Sequence, residues 1–391
     1  MDHRILVLDG NQRAALAAVR SLGSKSLWAA VGESTTTSLA GASRYCSRRL
    51  QYPDPYSSPR EFFDAILLLI DQERITFLLP ITEATTYILM KYRSELPESV
   101  ILPFPCSAAV ESLSNKNELF ELAERLEIPI PQTIVCRNAE QGLLALESIN
   151  HFPIVIKPFK SKILTQGSIT STHVFIAGSK EEASLALQTH SFFNFPFTLQ
   201  TFVSGHGGGV FALFNEGKPV CFFAHRRLRE KPPGGGVSVL SESSPIDESL
   251  RAAAERLLKS ANWHGVAMVE FRISDDGIGY LMEVNPRFWG SLQLAIDSGV
   301  DFPWLLFQIC TGQRTSKIIW KPCRLRWLLG DLDRLYLILK APRSTYSIRR
   351  KILEILRFLK PGRFTRHEVN RLGDIGPAWY ELRQYIAALK N

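Results

Sequence analysis

The sequence is poor in cysteine, and its few cysteines are not paired in motifs. Six occur in 391 residues, at positions 46, 106, 136, 221, 310 and 323, and no two form a C-x-x-C pair. This scatter argues against a disulfide framework and against a structural zinc site. We therefore expect reduced thiols and a cytoplasmic protein.

Long apolar runs are also missing. None approaches the roughly 18 residues that a membrane-spanning helix needs, and the stretch 62–70, among the longest, is interrupted by Asp64. Residues 1–4 lead into a strand pattern without the apolar core or cleavage site of a signal peptide. With 45% hydrophobic and 21% charged residues, the composition is typical of a soluble protein, and the length allows two or three domains.

Negative charge is scarce near the end of the chain. Residues 321–391 hold 16 Lys and Arg against 6 Asp and Glu, a net charge of +10, whereas residues 1–320 carry −2. Such asymmetry suggests a nucleic-acid or membrane-surface partner. Helix-turn-helix, zinc-finger and RNP-type motifs are absent, so we expect no nucleic-acid partner.

Within this basic segment, one stretch has the pattern of an amphipathic helix. Apolar residues recur at helical spacing among Arg and Lys, at Ile348, Ile352, Ile355, Leu356 and Leu359. We expect this apolar stripe to pack on the protein's own body or on a second subunit of a homodimer. Peripheral contact with an anionic membrane is the alternative.

The dinucleotide-binding fingerprint is absent from the first third of the chain. Strand patterns at 5–8, 27–31 and 75–80 alternate with helical patterns at 13–22 and 59–72, which predicts a parallel sheet. The turn after the first strand reads D-G-N-Q-R instead of G-x-G-x-x-G, so a nicotinamide cofactor has little support. Glu83 follows the strand at 75–80, at the edge where such sheets bind ligands. It is a candidate for binding a substrate amine, with an ordinary loop carboxylate as the alternative.

A β-hairpin with acidic side chains is the most informative feature present. Strand patterns at 266–273 and 278–285 flank the turn sequence S-D-D-G. If Ile273 pairs with Ile278, Glu270 shares a face with Glu283 and Asn285, and Glu283 is its diagonal neighbour. Two carboxylates and an amide oxygen suit Mg²⁺. A solvated acidic hairpin is the alternative.

Several basic groups precede this hairpin. Lys157 ends a short apolar strand at 153–158, and such a lysine needs a partner, either a phosphate or a core carboxylate. A basic, hydroxyl-rich loop at 160–168 follows and could wrap phosphates. Arg226, Arg227 and Arg229 stand before a glycine-rich loop, an arrangement that suits phosphate and carboxylate groups.

Six segments in this order resemble the ATP-grasp superfamily, particularly its carboxylate–amine ligase and carbamoyl phosphate synthase-like branch. They are S-N-K-N-E-L-F-E-L-A-E-R-L-E-I-P-I-P at 114–131, P-I-V-I-K-P at 153–158, L-Q-T-F-V-S-G at 199–205, H-R-R-L-R-E at 225–230, V-E-F at 269–271 and E-V-N-P-R-F-W-G-S at 283–291. With the preceding domain, the resemblance covers residues 1 to about 312.

The resemblance implies an α/β (α+β) fold in three parts. A Rossmann-like pre-ATP-grasp domain would span 1–112, an ATP-grasp domain 113–312 and a basic helical C-terminal extension 313–391. The ATP-grasp domain would divide into a nucleotide lobe at 113–203 and a metal and substrate lobe at 204–312.

The resemblance also implies roles for individual residues. ATP would be bound by Lys116, Lys157, Gly167, Ser168, Gln200, Thr201, Phe202, Val203 and His206. Mg²⁺, or alternatively Mn²⁺, would be held by Glu270, Glu283 and Asn285. The transferring phosphoryl group would be stabilised by Arg287 and by Arg226 or Arg227. Substrate contacts would come from Glu83, Arg229, Gly235, Gly290 and Ser291.

Some positions depart from the family pattern. Thr201 stands where the hinge often has an acid, and His206 stands where an acid or amide commonly meets the ribose. The phosphate loop is poor in glycine. These departures bear on the choice and affinity of the nucleotide.

The activity implied is ATP-dependent ligation of small molecules. A carboxylate would be phosphorylated to an acyl phosphate and captured by an amine, with release of ADP and phosphate. Phosphoryl transfer of this kind depends mainly on positioning and charge neutralisation, in keeping with the absence of a G-x-S-x-G nucleophile motif. Two alternatives stay open: a bicarbonate-dependent carboxylase or carbamoyl phosphate synthase-like enzyme, and a catalytically silent nucleotide-binding module.

Overall fold

The computed structural model describes residues 3–159, 162–165, 168–233, 235–360 and 362–390. It has a mixed α/β architecture with several sheets, which confirms the predicted fold class. No helix within these ranges is both long and apolar enough to cross a membrane.

The first unit of the chain is built on a parallel sheet, as the alternating pattern predicted. The strands are β1 (Arg4–Val7), β2 (Trp28–Glu33), β3 (Arg48–Gln51) and β4 (Phe77–Leu79), in the order β3-β2-β1-β4. The helices are α1 (Arg13–Gly23), α2 (Pro59–Glu73), α3 (Glu83–Lys91) and α4 (Ser107–Ser114).

A second sheet follows, and its paired strands are antiparallel. Its strands are β5 (Thr133–Cys136), β6 (Ile154–Pro158), β9 (Phe175–Ala177) and β10 (Phe197–Thr201), in the order β5-β10-β6-β9. A separate two-stranded ribbon joins β7 (Lys162–Thr165) to β8 (Ser168–Ser171). The helices of this unit are α5 (Lys116–Arg125), α6 (Ala139–Leu146) and α7 (Lys180–Thr189).

Helix α5 follows α4 directly. Ser114 ends α4, and the side chain of Asn115 accepts a hydrogen bond from the backbone N–H of Asn117, which caps α5. Lys116 is therefore the first residue of the helix.

The largest sheet has seven strands, in the order β15-β14-β11-β12-β13-β16-β17. The strands are β11 (His206–Asn215), β12 (Lys218–Lys231), β13 (Val237–Ser244), β14 (Gly265–Ile273), β15 (Gly279–Asn285), β16 (Arg324–Arg326) and β17 (Thr365–His367). Helices α8 (Glu248–Ser260), α9 (Leu292–Asp297) and α10 (Phe302–Cys310) accompany it, and the chain ends with α11 (Leu328–Lys340), α12 (Ile348–Leu359) and α13 (Gly376–Lys390).

The first and last parts of the chain share their cores. Phe62 of the parallel-sheet unit belongs to the same buried cluster as Leu257 and Trp263. A second cluster joins Ile5 and α1 to Trp289 and Leu325. Apolar burial of this extent is the main force that holds such units together.

The basic C-terminal segment, which was predicted as a helical extension, packs on this body. β16 pairs with β13, and Arg20 of α1 forms a buried ion pair with Asp374 at 2.7 Å. The expectation that the apolar stripe of α12 also packs on the body is wrong, because all five of its residues are exposed, Leu359 by 71%.

Candidate active site

The acidic hairpin forms, with a register that differs from the predicted one by one residue beside the turn and by two residues beyond a bulge. Ile273 pairs with Gly279 and Phe271 with Leu281, and a bulge then leaves Met282 outside the pairing. Glu283 therefore lies directly opposite Glu270, where a diagonal position was expected. A bulge re-aims side chains in this way.

Asn285 connects the two carboxylates. Its Nδ2 lies 3.2 Å from Glu270 Oε1 and 3.2 Å from Glu283 Oε1, and its Oδ1 accepts from Arg287 Nη2 at 3.2 Å. The predicted group of two acids, an amide and an arginine is thus a contiguous cluster. The negative charges of Glu270 and Glu283 require positive charge nearby.

The two carboxyl groups differ in electrostatic environment. Burial raises the pKa of the Glu270 carboxyl, and the charge of Glu283 raises it further. Burial acts in the same direction on Glu283, but the charges of Lys157 and Lys116 and the hydrogen bonds from Lys157 and Asn285 together hold the pKa of Glu283 below its ordinary value. Adjacent buried carboxylates repel each other unless a cation lies between them.

The donor set fits a hard divalent cation. Glu270, Glu283 and the Asn285 amide oxygen are the oxygen ligands that Mg²⁺ and Mn²⁺ prefer. The Asn285 NH₂ now faces the carboxylates, so ligation through its oxygen would require the amide to turn over, and amide orientations are assigned from hydrogen bonding. The raised pKa of Glu270 marks a charge that such a cation would neutralise.

Two lysines face this cluster from the neighbouring unit. Lys157 Nζ, at the end of β6, lies 3.0 Å from Glu283 Oε2, so a carboxylate is its partner in this structure. Burial lowers the pKa of Lys116 to about 8, and the adjacent charge of Lys157 contributes to the shift. Two ammonium groups kept together in a half-buried site form an anion-binding position.

A cavity of about 190 Å³ opens beside the carboxylates. The predicted site residues among those that line it are Arg227, Glu270, Asn285, Arg287, Gly290 and Ser291. Gly236 lines it as well, next to the predicted Gly235. The cavity is thus lined by residues of β12, β14 and β15 and of the segment that follows β15.

Consecutive arginines on β12 separate at this cavity. Arg227 lines the cavity and lowers the pKa of buried His225. Arg226 is 71% exposed and forms an ion pair with Glu242 of β13. Only Arg227 of this pair is therefore placed to meet a phosphoryl group. Arg229 was assigned to substrate, but its Nη1 lies 2.9 Å from the buried Asp331 Oδ2 of α11, outside the cavity.

Two polar residues of the cavity were not anticipated from the sequence. Arg13 begins α1 and lines the cavity. His225 Nε2 lies 2.9 Å from Ser291 Oγ, and burial together with Arg227 lowers the pKa of His225 to about 3. His225 could have been found from the sequence, because it alternates with Arg227 on one strand and so shares its face. Arg13 follows the first strand by several residues, and only the folded arrangement brings it here.

Other predicted nucleotide contacts lie at the end of β10. Gln200 is buried and donates from Nε2 to Thr133 Oγ1 at 3.0 Å, and Thr201 is exposed. The carbonyl of Val203 accepts from Arg272 Nε at 3.1 Å, and Phe202 N lies 3.4 Å from Pro153 O. His206 starts β11 opposite Ile273.

Two of the remaining positions belong to the β7–β8 ribbon. Gly167 lies outside the described residues, and Ser168 is described as the first residue of β8. The predicted ATP roles of residues 167–168 and 200–206 stay predictions.

The loop before Glu83 is held in place by a buried aspartate. Asp9 Oδ2 accepts hydrogen bonds from the N–H groups of Ile81 and Thr82, at 3.0 and 2.8 Å, and from Thr85 Oγ1 at 2.6 Å. Glu83 is therefore the first residue of α3 at a fixed loop. Its charge acts to raise the pKa of Lys116, which places it near the lysine pair.

Comparisons with known proteins find similarity in sequence and in fold. Residues 196–328 match the family described as ATP-grasp in the biosynthetic pathway with Ter operon. A D-aspartate ligase of Enterococcus faecium (strain Aus0004) is 22% identical over 229 residues, 56% of this chain and 54% of the relative. The chain thus spans about half the length of that relative.

Solved structures share the fold at low identity. Biotin carboxylase from Campylobacter jejuni has a TM-score of 0.63 at 13% identity, covering 82% of this chain and 74% of its own. The L-amino acid ligase from Bacillus licheniformis has a TM-score of 0.58 at 15% identity, covering 79% and 74%. The family match over residues 196–328, the sequence relative and the shared fold together show that the chain is similar to ATP-grasp proteins, among them carboxylate–amine ligases.

Proposed function

We propose that the protein is an ATP- and magnesium-dependent ligase that activates a carboxylate as an acyl phosphate and joins it to an amine. The observation that carries this proposal is the convergence of Glu270, Glu283 and Asn285 with Lys157 and the cavity arginines. A binding module would need the lysines, but it would not need two acids beside a cationic cavity.

The nucleotide phosphates would lie between the lysine pair and the hairpin. Lys116 and Lys157 would bind them as cations, and Glu283 would exchange its ion pair with Lys157 for a metal ion. Mg²⁺ or Mn²⁺ held by Glu270, Glu283 and Asn285 would supply charge neutralisation for the transferring group. The adenine would occupy the end of β10, from Gln200 to Val203.

The carboxylate substrate would occupy the cavity. One of its oxygens attacks the γ-phosphorus, the bond to the β-phosphate oxygen breaks, and ADP leaves. The amine then attacks the acyl carbon, loses a proton, and displaces phosphate. Arg227 and Arg287 would stabilise charge on the transferring phosphoryl oxygens, which is the largest contribution expected from such a site.

The size and charge of the cavity favour a small acid. About 190 Å³ is below the roughly 300–1,000 Å³ of ordinary ligand pockets. Arg13, Arg227 and Arg287 line it, which suits a substrate with more than one carboxylate. Because the sequence relative is a D-aspartate ligase, D-aspartate is the first carboxylate to test. Glu83 would bind the amine substrate as an ammonium ion before it reacts.

Bicarbonate is the second candidate acid. It would also fit a small cationic cavity, and a biotin carboxylase shares the fold. The metal and phosphate sites would serve both reactions, so the identity of the acid separates the two functions. The cytoplasmic location and the homodimer stay predictions.

An ADP-release assay tests the proposal. The protein would be incubated with Mg²⁺ and ATP, with pooled L- and D-amino acids as acids and amines, and separately with bicarbonate alone. We expect ADP release that depends on both Mg²⁺ and the amino acids, with D-aspartate as the strongest single acid. ADP release with bicarbonate alone would favour the carboxylase, and no release in either condition would support a silent module.

A further inference from the structure

Helix α12 presents an apolar face that the protein does not cover. At about 100° per residue, its five-residue stripe falls within an arc of about 100° on the helix surface. The members are Ile348, Ile352, Ile355, Leu356 and Leu359, with exposed fractions of 52%, 53%, 37%, 57% and 71%. A contiguous apolar surface of this kind marks a binding site.

Three other residues of α12 fix the helix to the body. Glu354 is buried and accepts from Arg334 of α11 at 2.8 Å, and Phe358 lies under the guanidinium of Arg326, 4.2 Å from the ring centroid. Lys351 Nζ donates to the carbonyl of Leu339 at 2.8 Å. The helix is therefore held in one orientation, with Lys351, Glu354 and Phe358 toward the body and the apolar arc outward.

We call the five exposed apolar residues of α12 the apolar face.

Cations border the apolar face. Arg349 and Lys360 lie on the same flank of the α12 arc, and both are exposed. The segment that contains the face, residues 321–391, has 16 Lys and Arg against 6 Asp and Glu. An apolar stripe flanked by cations is the arrangement by which helices lie at the surface of anionic membranes.

We propose that the apolar face docks the protein on an anionic phospholipid surface, with the α12 arc among the acyl chains and the flanking cations at the headgroups. A second copy of the chain is the less suitable occupant, because pairing these faces would bring two strongly basic segments together. The docking is peripheral, in agreement with the absence of a spanning helix in the described part of the chain. It is independent of the proposed ligase activity.

Vesicle co-sedimentation of the full chain tests this proposal. Phosphatidylcholine vesicles with and without phosphatidylglycerol would be compared at physiological and at high salt. We expect binding that needs phosphatidylglycerol and weakens with salt. The variant Leu356→Ser with Leu359→Ser, and the variant Arg349→Glu with Lys360→Glu, should each lose about tenfold or more in affinity.

Matched controls separate docking from general charge and from misfolding. Arg137→Glu with Lys218→Glu changes two exposed cations outside the C-terminal segment and should leave vesicle binding unchanged. The thermal transition of each variant should match that of the parent protein. Equal vesicle binding by the Leu356→Ser, Leu359→Ser variant would overturn the proposal. An absence of vesicle binding by the parent protein would also overturn it. A dimer of the parent protein in light scattering that this variant converts to a monomer would then identify a second copy of the chain as the occupant.

Discussion

Arg226 and Arg227 are consecutive in the chain and face opposite sides of β12. Arg227 lines the cavity, whereas Arg226 forms an ion pair with Glu242 at the exposed surface. The sequence alone could not choose between them, because an error of one residue in a strand reverses the face. Their roles can be separated with a single pair of variants.

We expect Arg227→Ala to lower kcat for ADP release by about 10²–10³-fold, because it removes a cation aimed at the developing charge. Arg226→Ala should stay within a few-fold of the parent, since an exposed ion pair contributes little. Steady-state kinetics of both variants give the comparison. Equal losses would show that neither arginine acts specifically.

Lys116 provides a pH-dependent test. Without nucleotide its pKa is lowered to about 8 by burial and by Lys157. Bound phosphates favour the charged form and would raise this pKa. ATP binding above about pH 8 must therefore take up a proton, and affinity should fall as pH rises through that value.

Calorimetry in two buffers of different ionisation enthalpy measures this proton uptake. We expect uptake near pH 9 and almost none near pH 6.5, where Lys116 is already charged. Lys116→Arg is the matched control, because Arg keeps its charge over the whole range. If this variant took up as many protons as the parent near pH 9, Lys116 would not be the titrating group.

At the level of elements, the hairpin shows what could and could not be predicted. Its existence, its turn and the shared face of its acids follow from alternation and turn chemistry. The register does not, because the bulge at Met282 depends on neighbouring strands and packing. The same limit applies to Arg13 and Asp9, whose partners lie far away in the chain.

Arg13 connects the first helix, the cavity and the C-terminal segment. It lines the cavity, its guanidinium lies 4.0 Å from the ring centroid of Trp327, and it forms an ion pair with Glu368. Burial raises the pKa of Glu368, and the charge of Arg13 acts against this shift. The pair therefore connects the C-terminal segment to the predicted substrate site.

We expect Arg13→Met to lower the free energy of unfolding by about 3 kcal/mol, because it leaves Glu368 buried without its cation. It should also raise KM for the carboxylate more than KM for ATP. Urea unfolding and kinetics measure the two effects. The double variant Arg13→Met, Glu368→Gln should regain the stability of the parent protein but keep the raised KM. If the double variant regained both, Arg13 would have only a structural role.

At the level of the whole molecule, the C-terminal segment is built into the fold. The resemblance to ATP-grasp proteins ends near residue 312, and the rest was predicted as a basic helical extension. In this segment β16 and β17 extend the seven-stranded sheet, and Asp374 is buried against Arg20. Short strands such as β16 and β17 can be predicted from local sequence, but the sheet edge with which they pair depends on the tertiary fold.

Removal of residues 314–391 should therefore destabilise the rest of the chain. The truncation would remove Leu325 from the second buried cluster and expose the apolar residues that pack around it. It would also leave the buried Arg20 without its partner Asp374. We expect a much lower thermal transition and aggregation of the shortened protein. An unchanged transition, with Mg²⁺–ATP binding retained, would show that the segment is an independent addition.

The central claim, that a carboxylate is phosphorylated at this site, is tested most directly with oxygen isotopes. The protein would be given Mg²⁺, ATP and pooled amino acids labelled with ¹⁸O in their carboxylates, and the released phosphate would be analysed by mass spectrometry. One carboxylate oxygen should appear in phosphate for each amide bond formed. Glu283→Gln should abolish the transfer, because it removes one charge from the metal site, whereas Glu98→Gln, at an exposed position, should not. Unlabelled phosphate from a reaction that forms product, or full transfer by Glu283→Gln, would contradict the account.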